Sequence, residues 1–325
     1  MFKALLLEQE GKTTVSSVQE LDDSRLPEGE VTVAVDYSSL NYKDGLAITG
    51  KGKIVRNFPM VPGIDFAGTV INSASPDFSE GDKVILTGWG VGENHWGGMA
   101  QKARVKASQL VNMPEGLDSR RAMMIGTAGL TAMLCVMALE QSGVTPEKGE
   151  ILVTGASGGV GTVSVALLSK LGYDVVAVSG RPENSAMLVN LGAKLILPRS
   201  RFEKSARPLD KQMWAGVVDT VGSKLLAKVL SEMNYGGTVA ACGLAGGFDL
   251  PTTVMPFILR GVNLQGVDSV MCPIERRTQA WEKLVELLPE SFYDLACQEV
   301  ALEGIAEYAE AITEGQVTGR VIVRI

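Results

Sequence analysis

The run Val153-Thr154-Gly155-Ala156-Ser157-Gly158-Gly159-Val160-Gly161 carries the clearest chemical signal in the chain. A short apolar stretch, residues 151–154, enters it, and residues 163–171 leave it with helical spacing. That is the strand–turn–helix setting a dinucleotide fingerprint requires. Ala156 takes the place of the first glycine, Gly158 lets a pyrophosphate approach the backbone, and Gly161 lets helix and strand pack closely. A helix opening here offers free N–H groups and partial positive charge to an anion. The plainer alternative is a tight turn with no ligand.

The end of the next strand separates the two nicotinamide cofactors. NAD binders place an acid there for the ribose 2′-hydroxyl; this chain has Ser179-Gly180-Arg181 and no acid before Glu183. A hydroxyl and a guanidinium suit a 2′-phosphate, which arginine grips through forked, charge-assisted hydrogen bonds. The expected cofactor is therefore NADPH. Arg199, just past the third strand, either joins the adenosine end or is a surface charge in its turn.

Other chemistries find little support. His95 is the only histidine, and no cysteine pair has metal-ligand spacing, so no metal site is expected. A Ser-His-Asp hydrolase would need His95 as base, and no Gly-x-Ser-x-Gly elbow follows a strand. His95 reads as a hydrogen-bonded loop residue.

The elements that must position these residues divide near residue 125. Before it, β-rich runs at 31–37, 66–71 and 83–87 alternate with turns at Pro62-Gly63, Gly81-Asp82 and Gly97-Gly98. After it, apolar strands at 151–154, 174–179, 195–197, 216–219, 237–242 and 264–267 alternate with helical patterns, as in a parallel sheet covered on both faces. A helix at 275–288, a strand at 298–302, a helix at 303–314 and a strand at 320–325 follow. The expected fold class is α/β: a mostly-β domain (1–122 and 290–325) and a doubly wound parallel-sheet Rossmann domain (123–289).

The 325 residues include 46% hydrophobic and 21% charged residues with a net charge of −7. That balance lacks the basic footprint of a nucleic-acid binder. Four scattered cysteines suit a reduced, cytoplasmic protein. The first nine residues read as a strand, not a signal peptide. Residues 123–139 reach the lower limit of a membrane span, but their soluble flanks favour a buried helix and no membrane association.

Longer motifs carry a family resemblance over essentially the whole chain. Ser39-Leu40-Asn41-Tyr42-Lys43-Asp44, Pro62-Gly63-Ile64-Asp65-Phe66-Ala67-Gly68 and Gly81-Asp82-Lys83-Val84 resemble the medium-chain dehydrogenase/reductase superfamily, in its zinc-free quinone-oxidoreductase branch. Residues 86–98, 125–129, 251–260 and 266–270 resemble the bacterial NADPH-dependent acryloyl-CoA reductases of that branch. The resemblance implies a GroES-like catalytic domain beside the Rossmann domain, a cleft between them, a homodimer, and reduction of acryloyl-CoA to propanoyl-CoA. It places Tyr42 against the nicotinamide and Ser157, Gly158, Gly159 and Val160 at the pyrophosphate. It places Ser179, Gly180, Arg181 and Arg199 at the adenosine end, and Leu244, Ile258, Ser269 and Arg320 along the cofactor. Core packing is the competing expectation for Ile258.

In such a reaction negative charge grows on the thioester oxygen, and donors aimed there lower the barrier. Tyr42 is the leading side chain for that task, with Asn41 as a neutral donor and Asp65 as a partly buried acid shaping the site or capping a turn. Water is the alternative proton source. Lys51, Lys53 and Arg56 either meet coenzyme A phosphates or form a solvated loop. The rival functions are a broader quinone or enone oxidoreductase and an NADPH-binding sensor without turnover.

Overall fold

A computed structural model describes residues 1–325 and divides into two compact units. The first comprises Met1–Thr127, Ser269–Val285 and Cys297–Ile325; the second comprises Ala128–Asp268 and Glu286–Ala296. The segment 269–285 thus joins the first unit, although the strand–helix alternation assigns it to the second. It is tied there by Trp89 N, which donates to the Val270 carbonyl at 3.0 Å, and by Arg277, a fully buried arginine whose guanidinium donates to the carbonyl and hydroxyl oxygens of Thr87 at 2.7 and 2.6 Å.

The first unit opens with an antiparallel pair, β1 (Phe2–Glu10) and β2 (Thr13–Leu21). Its main sheet holds β3 (Val31–Leu40), β4 (Asp65–Ser73), β5 (Lys83–Thr87), β6 (Lys102–Val105) and β7 (Leu110–Asn112). The helix α1 (Tyr42–Thr49) follows β3 directly. The 297–325 segment adds β14 (Cys297–Ala301), α9 (Ile305–Thr313) and β15 (Arg320–Arg324), and α7 (Ile274–Leu287) packs in the 269–285 segment. The sheet order is β14-β15-β3-β4-β5-β7, with β6 also on β3. Apolar side chains of β3, β4 and β5, among them Val33, Phe66 and Leu86, form one core.

In the second unit the continuous apolar strands β8 (Ile151–Val153), β9 (Val175–Ser179) and β11 (Trp214–Asp219) are buried at every position. Strands of that kind need a cover on both faces, and parallel pairing supplies it through crossover helices. With β10 (Leu195–Pro198), β12 (Met233–Ala241) and β13 (Asn263–Gly266) they make a six-stranded parallel sheet in the order β10-β9-β8-β11-β12-β13. This is the doubly wound order, in which the chain reverses direction across the sheet beside β8. Its helices are α3 (Gly159–Lys170), α4 (Ser185–Asn190), α5 (Ser223–Ser231), α6 (Met255–Arg260) and α8 (Glu290–Ala296). The last of these, like α1 and α5, is not apparent from sequence pattern.

The apolar stretch around residue 130 belongs to α2 (Ser119–Gln141). Its length and composition would suffice to cross a membrane, yet its apolar window lies wholly inside protein. It is also broken. Gly126 has φ 54° and ψ −159°, outside helical space, and the unit boundary falls just after it at Thr127.

Candidate active site

The second unit builds an anion cradle from the turn between β8 and α3. Gly155, with φ +57°, makes the tight bend that the sequence pattern assigns to Ala156. A Cβ on Gly161 would lie 2.3 Å from the Gly155 carbonyl oxygen and 2.5 Å from Ala156 Cα, so only glycine allows this helix–turn contact. Gly158 differs: a Cβ there would meet only the Gly155 carbonyl oxygen, at 3.3 Å. Its missing side chain leaves space open for a ligand.

Beneath the turn, Thr154 Oγ1 donates to Asp219 Oδ1 at 2.7 Å, and Gly222 N donates to Asp219 Oδ2 at 2.8 Å. Thr220 closes the frame through N to Thr154 Oγ1 and Oγ1 to the Thr154 carbonyl. Burial pushes the Asp219 carboxyl above its ordinary range. Sequence reasoning missed this support, because its partners sit 65 positions apart.

The same turn reaches the end of β9. Arg181 Nη2 donates to Ser157 Oγ at 3.2 Å, and Arg181 N donates to Ser179 Oγ at 3.1 Å. Arg199 comes close to Gly180, whose added Cβ would lie 3.4 Å from Arg199 Nε. Ser179, Gly180, Arg181, Pro182, Arg199 and Glu203 help line a cavity of about 350 Å³. Two guanidiniums against one carboxylate leave this cavity positive, which fits the 2′-phosphate of NADPH better than a bare ribose hydroxyl. Of the other expected cofactor contacts in this unit, Leu244 follows β12 and is 63% exposed, and Ile258 lies on α6, 72% exposed. Core packing is thereby removed as the account of Ile258.

In the first unit, register brings distant residues together. Leu40 pairs with Val321 and Ser38 with Phe66, so Ser39, Asp65 and Arg320 converge at the ends of β3, β4 and β15. Asp65 is wholly buried. Its Oδ1 accepts from Ser39 N at 3.1 Å and Ser39 Oγ at 2.6 Å, while Oδ2 accepts from Asn41 Nδ2 at 3.0 Å and Thr127 N at 2.8 Å. Arg320, 2% exposed, donates from Nη2 to Ser39 Oγ at 2.7 Å, from Nη1 to Asn41 Oδ1 at 3.3 Å and from Nε to the Met124 carbonyl at 3.1 Å. Burial lowers the affinity of this guanidinium for its proton, and the Asp65 carboxylate opposes that shift.

Asp44 stands beside this cluster. Its Oδ1 accepts from Gly63 N and Ile64 N and its Oδ2 from Asn41 N, which fixes the start of α1 to the loop before β4. Burial first, and then the nearby Asp65 charge, push its carboxyl up to about 7. Tyr42, the first residue of α1, is 41% exposed.

These positions bear on the expected roles of Asn41 and Asp65, and of the two readings of Asp65 the geometry shows the capping one, since it accepts from the backbone N–H groups of Ser39 and Thr127. A donor to substrate needs an uncommitted N–H, and Asn41 Nδ2 is spent on Asp65 and Ser39. An acid at work on substrate needs access, and Asp65 has none in this arrangement. Ser269, near the start of the 269–285 segment, is buried, and its carbonyl accepts from Arg277 Nη2 at 3.1 Å. Arg277 also stacks over Trp89, 4.8 Å from the ring centroid; no local motif announces it. Lys51 is engaged with Glu310 and Glu314. His95 Nε2 lies 2.7 Å from the Arg104 carbonyl oxygen, as a loop-tethering residue would.

Residues 27–115 match the alcohol dehydrogenase GroES-like domain family, and residues 159–290 match the zinc-binding dehydrogenase family. The chain brings no three His, Cys, Asp or Glu side chains together in a way that could hold a metal ion, so zinc does not fit its residues. It is 68% identical over 323 residues to the probable acrylyl-CoA reductase AcuI of Escherichia coli, covering 99% of both chains. It is 54% identical to the acrylyl-CoA reductase AcuI of Ruegeria pomeroyi, covering 100% of this chain and 99% of that one. The crystal structure of E. coli K-12 YhdH with bound NADPH superposes with a TM-score of 0.97 at 68% identity, covering 99% of each chain. A GroES-like segment, a doubly wound sheet and this full-length likeness together make the chain a member of the medium-chain dehydrogenase/reductase superfamily, in the family of the AcuI acrylyl-CoA reductases.

Proposed function

We propose that this protein reduces the carbon–carbon double bond of acryloyl-CoA to give propanoyl-CoA, with NADPH as reductant. The observation that carries the reading is full-length identity of 68% and 54% with proteins named acrylyl-CoA reductase. The guanidinium-lined cavity after β9 supports NADPH as the coenzyme. When bound, NADPH supplies a hydride from nicotinamide C4 to the β-carbon, and one proton must reach the α-carbon to balance the reaction.

The residues of the chain divide that work. Backbone N–H groups of Gly159 and Val160 hold the pyrophosphate at the positive end of α3, where the bare Cα of Gly158 leaves room for it. Arg181 and Arg199, with the Ser179 hydroxyl, hold the 2′-phosphate. The hydroxyl of the partly exposed Tyr42 orients the thioester oxygen, where charge develops, and helps the proton on its way from water. Asn41 and Asp65 act on substrate only through Tyr42. Leu244, Ile258 and Ser269 are proposed to complete the cofactor's surroundings, whereas Arg320, 2% exposed and committed to Ser39, Asn41 and the Met123 and Met124 carbonyls, has no group left for the cofactor.

NADPH oxidation measured across acryloyl-CoA, longer enoyl thioesters, free enones and quinones tests the reading. A clear preference for acryloyl-CoA is expected. Preferential turnover of quinones would overturn it in favour of a broader oxidoreductase, and tight NADPH binding without oxidation would point to a sensor.

A homodimer belongs to the same proposal. Strand β13 ends the six-stranded sheet on one side, and the same unit exposes the apolar side chains of Phe248, Val254 and Leu259. A sheet edge and exposed apolar side chains are each suited to a second copy. Light scattering at micromolar concentration should return twice the chain mass.

A further inference from the structure

A helix that stops and restarts leaves two sets of unpaired backbone groups: carbonyls at the end of the first piece and N–H groups at the start of the second. The break in α2 at Gly126 is such a place, and it is met by opposite charges. Arg320 donates to the carbonyls of Met123 and Met124, which close the first piece. Asp65 accepts from Thr127 N, which opens the second. A cation at the negative end and an anion at the positive end match the dipoles of both pieces. The fit around the break is close. A Cβ on Gly126 would lie 2.5 Å from Arg320 Nη2 and 2.9 Å from both Asp65 Oδ2 and Ser39 Oγ.

The same two side chains also hold the residue before Tyr42. Asn41 gives its Nδ2 to Asp65 Oδ2 and takes Arg320 Nη1 on its Oδ1. Asn41 is the N-cap of α1, so its placement sets where that helix begins and where the Tyr42 ring projects. Ser39 joins the pair from β3, accepting from Arg320 and donating to Asp65.

We propose that Asp65 and Arg320 are paired positioning residues for the reduction, which lock the start of α1 to the two ends of the α2 break and so hold Tyr42 in register. The proposal rests on the reading that Tyr42 orients the thioester. Neither charge needs to touch substrate, because each acts through Asn41. A shift of about 1 Å in an orienting group lowers turnover by about 100-fold, which sets the scale of the expected effect.

Asp65→Asn replaces one carboxylate oxygen with a donor that faces other donors. The expected result is a fall in kcat of about 100-fold with acryloyl-CoA. The Kd for NADPH, measured by calorimetry, should stay within about two-fold, because the loss is confined to the reacting end. Hydrogen exchange should rise together at residues 41–44 and 126–128. Should this variant fold poorly, Asp65→Asn/Arg320→Met removes both buried charges and leaves neither uncompensated. Its Tm should recover towards that of the parent while kcat stays low. A double variant that regains both Tm and kcat would reduce the pair to a structural ion pair and overturn the proposal, as would a single variant with parental kcat. If the parent protein does not turn over acryloyl-CoA, the reading of Tyr42 fails on its own account and hydrogen exchange decides. Exchange rising at only one of the two segments would break the link.

Discussion

Around Gly158 the second unit withholds side chains; around Asp65 the first unit accumulates them. At the β8–α3 turn the polar work is left to backbone N–H groups and to guanidiniums on a cavity wall. At the α2 break, carboxylate, guanidinium, amide and hydroxyl groups are buried and spent on one another. An open cradle accepts a ligand that brings its own charge and exchanges with solvent. A closed network holds geometry, since a buried charge that loses its partner is costly. On the proposed reading, binding and alignment fall to different kinds of structure, and substitutions should separate them.

The largest effect is expected at Gly126. Its backbone conformation is restricted to glycine, and any Cβ meets the charged network. Gly126→Ala should cost about 1–3 kcal/mol in backbone strain alone. Thermal unfolding should show a Tm lower by several degrees, with kcat falling further than the loss of folded protein explains. A variant with parental Tm and kcat would show that the break does not bear on alignment.

A smaller and more selective effect is expected at Arg181. Losing one charge-assisted hydrogen bond of about 1.5–3 kcal/mol should raise the KM for NADPH by about ten- to a hundred-fold in Arg181→Ala. The KM for NADH should barely move, because NADH carries no 2′-phosphate. Equal changes for both would remove the phosphate role and blur the division between the two regions.

The smallest effect is a slope rather than a loss. Asp44 is pushed up to about 7 by burial and by Asp65, against a value near 4 in the unfolded chain. Between these values the folded state binds the additional proton, so Asp44 makes the protein less stable as pH rises from about 4 to 7. Thermal scans from pH 5 to pH 8 should show a falling Tm, and Asp44→Asn should flatten that fall. Part of the slope should persist, because Asp219 is shifted in the same direction. An unchanged slope would mean that Asp44 is not the titrating group.

The two regions also differed in how far they could be read in advance. The cradle is contiguous: glycines, strand and helix lie within twenty residues, and β9 brings Ser179 and Arg181 by an ordinary crossover. Even there, Ala156 was expected where Gly155 makes the bend, since spacing alone does not report which residue takes positive φ. The alternating pattern located β5, β9 and α7 closely. It missed α1, whose eight residues, half of them buried, lack a clear apolar stripe. The closed network was legible only as separate motifs. Asn41, Asp65 and Arg320 were each singled out, yet Asn41 and Arg320 are 279 positions apart. No local pattern reports that they hydrogen-bond each other instead of a substrate. Arg277 was invisible because a buried arginine paired to carbonyls looks, in sequence, like any surface arginine on a helix.

The far-flung partnership of Arg320 has a consequence for biosynthesis. Met124 leaves the ribosome 196 residues before the arginine that satisfies its carbonyl. Strand β15, between β14 and β3, is supplied just as late. Until then the nascent chain carries an apolar segment long enough to cross a membrane, and of the two sides of its break only the N–H side has its partner, Asp65, already synthesised. Slowing translation near the 3′ end of its message should therefore prolong the exposure of this segment, which limited proteolysis of ribosome-bound chains would register.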